Sequence, residues 1–353
     1  TEVRAPRFPV IDAHNHIGTP FAGAFGDGFG QWLRRPVAGL LDQLDAAHVR
    51  VYVDLDGGWG EDILEAHLRH FKEAAPERFR IFGGADWGQW PAQGDRFGEW
   101  AAGRFRQQAA RGAEGLKIWK PLGLHVRDQH GTLVAVDDAR LDPLWAAAGE
   151  LGVPVLIHVA DPVAFFDPVD EHNERWEELG LNPDWAFTSP PYPPFLSIVN
   201  ALANVVARHP ATTFIGAHVG CYAEDLGWVG ALLDRCPNFY VDFSARVGEL
   251  GRQPYTARRF FIRYADRILF DTDAGPDLED YRLYYRFLET DDEYFNYNAG
   301  SETPKQGRWM AYGLHLPEDV LRKVYWDNAA KLLHVTGSAR RADPPAPALA
   351  DIT

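Results

Sequence analysis

The chain has 353 residues, 46% of them hydrophobic, which is ample for a buried core, and carries a formal net charge of −15. That acidity argues against nucleic acid, whose phosphates want clustered Lys and Arg, and against an anionic membrane surface. No apolar run approaches the roughly 20 residues needed to span a bilayer. Cys221 and Cys236 make no disulfide framework in a chain of this length. The chain begins at Thr1 rather than Met, which leaves a removed export segment open; the expected location is the cytoplasm.

Hydrophobic period gives the elements in order. A first strand over 9–17 runs into a Gly-rich loop over 18–30, then a helix over 37–48. A strand over 49–55 is followed by a helix over 61–75, and a strand over 79–87 by a helix over 96–111. A fourth strand covers 115–119, with a helix over 141–152 that stops at Gly152. The fifth strand, 153–158, precedes a Pro- and aromatic-rich stretch over 160–194, too long to be an idle loop and expected to act as a lid or a subunit contact. Helix 197–209, strand 212–218, helix 223–234, strand 238–243, helix 254–264 and strand 267–273 follow. Helices over 317–325 and 328–334 lead to a loose tail over 336–353.

Strands alternating with helices predict a parallel sheet, and eight such units predict an α/β fold closed into a (β/α)8 TIM barrel. A doubly wound open sheet would not naturally use eight units, and the G-x-G-x-x-G phosphate pattern is absent after the first strand. The expectation is a single domain over 1–353, its core about 9–335.

Sites in such barrels sit at the C-terminal ends of the strands. There the sequence places His14 and His16 on strand one, His158 ending strand five, His218 ending strand six, and Asp271 and Asp273 ending strand eight. Residues i and i+2 of a strand share a face, so the His-x-His spacing aims two imidazoles at one point, as a metal ion requires. One such histidine is more often a hydrogen-bonded core residue. Three histidine-bearing strand ends with an acidic one favour a metal centre.

The phrases Val-Ile-Asp-Ala-His-Asn-His, Pro-Val-Leu-Ile-His, Phe-Ile-Gly-Ala-His-Val-Gly and Ile-Leu-Phe-Asp-Thr-Asp, in that order, resemble the amidohydrolase superfamily. They are most similar to its amidohydrolase-related branch of metal-dependent TIM-barrel hydrolases, whose relatives include aminocarboxymuconate-semialdehyde decarboxylase. The resemblance covers roughly 9–333. It implies metal ligation by His14, His16, His158 and Asp273, with Asp273 also accepting a proton and His218 acting on the metal-bound water. Asp271 stands where the family phrase has Gly.

Such a centre lowers the pKa of water towards about 7 and polarises a carbonyl. One divalent ion is expected: zinc from the His-rich set, with manganese or iron also compatible. The expected activity is hydrolysis of an amide, ester or lactone bond in a small molecule. The alternatives are non-oxidative decarboxylation of an unsaturated or aromatic acid, and a non-catalytic binding barrel. Lys117 and Lys120 fall on opposite faces of a regular strand four, so at most one points inward. Lys117 or Lys120, Trp119 and Arg246 are expected to bind substrate, Arg246 as a clamp for an anion. Trp59, Trp87 and Trp119 either wall a pocket or pack the barrel. Self-association of the chain stays open.

Overall fold

The structure is a computed structural model that describes residues 1–18, 32–298, 302–304, 306–337 and 339. The Gly-rich loop and the loose tail fall largely outside them. Its strands are short, buried runs, most of them rich in Val, Ile, Leu and Phe, as a sheet covered on both faces requires. Strand β1 (Val10–Asn15) pairs in parallel with β2 (Val49–Asp54), which pairs with β3 (Phe79–Ile81). A second run follows in chain order: β4 (Gly83–Gly84), β5 (Leu116–Ile118), β6 (Val155–Ile157), β7 (Phe214–Gly216), β8 (Phe239–Asp242) and β9 (Ile268–Leu269).

The strand predicted over 79–87 is thus two pieces and ends at Gly84. Phe82 N–H donates to Asp54 O at 3.0 Å and Gly83 N–H to Gly115 O at 2.9 Å, so the strand hands its bonds from one neighbour to the other at this point. The ends of the sheet also meet. Ala13 N–H donates to Phe270 O at 3.0 Å and Asp273 N–H to His14 O at 2.9 Å, which joins first strand to last in a closed TIM barrel.

Helices α1 (Val37–Ala46), α2 (Glu61–His67), α3 (Phe97–Arg111), α4 (Asp142–Leu151), α5 (Phe195–Arg208), α6 (Leu226–Arg235), α7 (Pro254–Arg263) and α8 (Leu278–Glu289) cover the strands. Helix α5 shows the cause most clearly: Ile198, Leu202, Val205 and Val206 recur at helical spacing and are all buried. Helix α4 stops at Gly152, whose φ of 67° is the left-handed cap read from the sequence. The helix predicted over 61–75 is α-helical only to His67 and π-helical over Leu68–Lys72.

Helix α8 was not expected. Tyr281, Tyr284, Tyr285 and Leu288 form its buried stripe at i, i+3, i+4, i+7, and the Asp277 side chain caps it by accepting from Glu279 and Asp280 N–H. The stretch over 160–194 also holds a short helix, Trp176–Leu181. Inside the barrel, Ile11, Val51, Val53, Leu156, Ile215 and Leu269 pack against Trp326, Ala329 and Leu333 of the C-terminal helical segment. No helix among the described residues is long and apolar enough to cross a membrane.

Candidate metal centre

Strand β1 carries a bulge that decides where its histidines point. Asp12 pairs with Tyr52 and Asn15 with Asp54, so three steps along β1 match two along β2. Ile11 and Ala13 face the barrel interior. Asp12 turns outward, accepting the Tyr281 hydroxyl at 2.6 Å and the Thr272 hydroxyl at 3.0 Å. The bulge lets His14 follow Ala13 inward, and His16 joins it with ring centroids 5.4 Å apart and planes at 85°.

Asp273 stands among three imidazoles. Its Oδ1 lies 3.0 Å from His16 Nε2 and 3.5 Å from His14 Nε2, and its Oδ2 3.8 Å from His218 Nε2. Ligand atoms of His14, His218 and Asp273 all fall within 4.8 Å of one another. His218, expected as the base, therefore offers a donor to the same point. Strained backbone aims these groups: His218 and Asp273 hold φ of 56° and 55°, left-handed values rare for residues with a Cβ.

His158 lies directly beyond β6, its ring 4.5 Å from that of His218. Its Nε2 is buried without a hydrogen bond, with Asp161 Oδ1 at 3.4 Å outside bonding geometry. A buried ring nitrogen with nothing to bond is a donor atom awaiting a partner, and this is the observation that fits the donor set to a divalent ion. Charge state agrees. Burial, then Lys117, lowers His14; burial, then Arg246, holds His218 well below the usual histidine range; burial brings His158 down to about 4. Neutral imidazole is the form that binds metal. His16 differs: burial lowers it, but Asp273 and Asp56 prevail and lift it to about 9. Burial raises Asp273, yet His14, His16 and His218 outweigh it and hold the carboxyl well below its ordinary value.

Behind these groups stand carboxylates that sequence reading missed. Asp242 Oδ2 accepts from His14 Nδ1 at 2.8 Å, and its Oδ1 accepts His218 N–H at 2.7 Å and the Ser244 hydroxyl at 2.9 Å. Asp56 Oδ1 takes His16 Nδ1 at 2.9 Å, and Asp54 bonds His67. The His14 and His16 rings are thereby fixed with Nε2 towards Asp273. The signal was present: Asp54 and Asp242 end apolar strands, as the histidines do. Asp271 lies deeper, accepting Phe243 N–H at 3.0 Å; burial, then Asp242 and Asp12, push its carboxyl well above the carboxylate range. Asp273, 23% exposed, is the member of the pair at the mouth.

Lys117 is the inward lysine, 1% exposed, with Nζ 3.3 Å from His14 Nε2 and 4.6 Å from the Trp119 ring centroid. Burial lowers it to about 8. Lys120 instead pairs with Asp161 at 2.5 Å. Trp119 lies 5.0 Å from the His16 ring and stacks on Trp59 at 4.2 Å, forming an aromatic wall. Gly58 permits that wall, since a Cβ there would sit 2.9 Å from Lys117 Cβ and 3.0 Å from Trp119 Nε1. Trp87 stacks on Phe97 of α3 and takes no part. Arg246 is 5% exposed and donates to Ala245 O at 2.8 Å.

Together, the closed barrel and the histidine–carboxylate cluster at its C-terminal mouth define a TIM-barrel protein built to hold a cation. A family model described as Amidohydrolase matches residues 11–335, and the chain belongs to that family, which is enzymatic and uses a divalent metal. Among solved structures it is similar to a putative amidohydrolase from Staphylococcus aureus (16% identity, TM-score 0.57, 92% of this chain and 99% of that one). It is also similar to 2,6-dihydroxybenzoate decarboxylase from Rhizobium (16%, TM-score 0.56, 96% and 100%). A third likeness is dihydroxybenzoic acid decarboxylase from Polaromonas sp. JS666 with bound manganese and the inhibitor 2-nitroresorcinol (18%, TM-score 0.56, 92% and 97%). No curated protein matches the chain in sequence.

Proposed function

We propose that the chain is a metal-dependent, non-oxidative decarboxylase of a small unsaturated or aromatic carboxylic acid. The observation that carries this reading is Lys117. It is a buried ammonium beside His14, and no carboxylate lies within ion-pair distance of it among the described residues. A buried cation without a counter-ion is costly, and the carboxylate of an incoming acid supplies one. The Trp119–Trp59 wall beside it suits a flat, conjugated body. The decarboxylase names of two of the similar structures favour the same reading.

His14, His16, His158 and Asp273 would hold the ion, which as a Lewis acid draws electron density from the substrate's oxygens. Zinc remains the ion suggested by the His-rich set, with manganese equally compatible. Lys117 binds the carboxylate, and Trp119 and Trp59 orient the body and exclude water. Release of CO2 breaks a carbon–carbon bond and leaves its electron pair on carbon, which must take a proton. Asp273 at the mouth and His218 at 3.8 Å are the groups placed to carry that proton.

The same Asp273–His218 pair could take a proton from attacking water, which favours hydrolysis as the second reading. A panel of aromatic acids, lactones and amides separates the two. CO2 from an acid, with Lys117→Met lowering kcat/KM at least about 100-fold, is the expected result. Acid release from a lactone or amide with no CO2 from any acid would overturn it.

A further inference from the structure

A third imidazole repeats, away from the barrel centre, the arrangement found at His14 and His16. Their Nδ1 atoms face Asp242 and Asp56; likewise Nδ1 of His67, the last residue of α2, is hydrogen-bonded to Asp54 at the end of β2. A carboxylate on one ring nitrogen fixes the ring and leaves the other nitrogen as a donor for a metal. His67 is fully buried, and among the described residues its Nε2 has no hydrogen bond. A Cβ on Gly18 would meet Asp56 Oδ2 at 2.6 Å and His67 Nε2 at 2.8 Å, so both atoms face one point, left open because Gly18 has no side chain. Ligand atoms of Asp54, Asp56 and His67 all lie within 4.8 Å of one another, and all three residues are buried. The ion-pair partners of these two carboxylates among the described residues are His16 and His67. An imidazole bound to metal is neutral, so His16 in the metal-loaded centre offsets neither acid. Two buried carboxylates against at most one imidazolium are costly, and a divalent cation balances both.

We propose that His67 Nε2 and Asp56 Oδ2 form a second cation site for a divalent ion of the zinc class, with Asp54 holding the imidazole from behind. An imidazole nitrogen and a carboxylate oxygen are donors that such ions take. The Gly18 N–H also donates to Asp56 Oδ2, and a carboxylate oxygen has a second lone pair to offer. Asp56 gives its Oδ1 to His16, so the ion is set back from the reacting groups and ties the ends of β1 and β2 to α2. With two protein donors the site is weaker than the four-donor centre, and it fills after that centre does. This inference is independent of the acid-substrate reading.

Two measurements with zinc test this without turnover: calorimetric titration of protein whose centre is already loaded, and anomalous diffraction at the zinc edge from native crystals grown with zinc. A further binding event is expected at micromolar free zinc, with an anomalous peak in bonding range of both His67 Nε2 and Asp56 Oδ2. No further event, or peaks at the centre and none beside His67, would overturn the proposal without reference to any variant. His67→Asn keeps an amide N–H for Asp54 and offers nothing at the Nε2 position. It is expected to weaken the second event at least about tenfold and to leave the metal of the centre in place. Gly18→Ala fills the open point and is expected to do the same by another route. A second event of native affinity in both variants would mean that the added zinc binds elsewhere, and would overturn the assignment. Where a variant fails to fold, the native diffraction decides. Absence of CO2 release would defeat decarboxylation and leave this site standing, so the two failures are distinguishable.

Discussion

Asp12 and His14 are two residues apart, yet the bulge in β1 sends one outward and the other inward. The His158 Nε2 that lacks a hydrogen bond is expected to be a metal ligand. His158→Ala should lose most bound metal on elemental analysis after dialysis, and full retention would remove His158 from the donor set. Asp12 predicts a pH dependence. Burial pushes its carboxyl up to about 7, above the value of about 3.9 in an unfolded chain. Below about pH 4 both states hold the proton and the burial costs nothing. Between about 4 and 7 the unfolded chain alone releases it, so stability falls as pH rises, by up to about 1.4 kcal/mol per unit. In chelator-treated protein, Asp12→Asn should therefore gain on the native chain across that window in urea midpoints, and a constant gap would contradict this. The six ligand-like residues were legible because each ends an apolar run at a strand terminus. Asp56 and Asp161 were not, because they lie beyond the strand ends and nothing local to a carboxylate says which imidazole it will meet across the barrel.

The stretch over 160–194 is held as an element in its own right. Arg175 is buried among Glu178 and Glu249, Arg252 takes Glu174 at 2.6 and 2.7 Å, and Arg308 takes Glu177 at 2.9 Å. Breaking a buried ion pair by removing one partner costs about 3–5 kcal/mol because the other charge is stranded. Arg175→Met should thus lower the urea midpoint and open this stretch to proteolysis, and adding Glu249→Leu should recover most of the loss. A single variant as stable as the native chain would show that the pair does not hold the segment down. Sequence reading placed all the barrel strands but drew the third as continuous over 79–87, since bond transfer at Phe82 depends on neighbours far away in the chain. Helix α8 escaped it although the signals were there, with Asp277 as a cap and tyrosines at helical spacing. Buried tyrosines do not stand out in an apolar pattern when their hydroxyls find partners in tertiary structure, as Tyr281 does at Asp12.

For the whole molecule, the two hydrogen bonds that join first strand to last involve Phe270, Ala13, His14 and Asp273. The seam of the barrel therefore runs through the candidate metal centre, and an ion held by His14 on one edge and Asp273 on the other would act as a clasp across it. Loading the ion should slow amide hydrogen exchange at Ala13 and Asp273 far more than at the β5–β6 junction, where Leu116 N–H bonds Pro154 O at 2.9 Å on the opposite side of the ring. Uniform protection across both places would mean that the barrel opens elsewhere first. A cell that runs short of the ion would then lose more than catalysis: with the clasp absent this join would part more readily, and the protein would become a substrate for proteases in proportion to how little metal it carries.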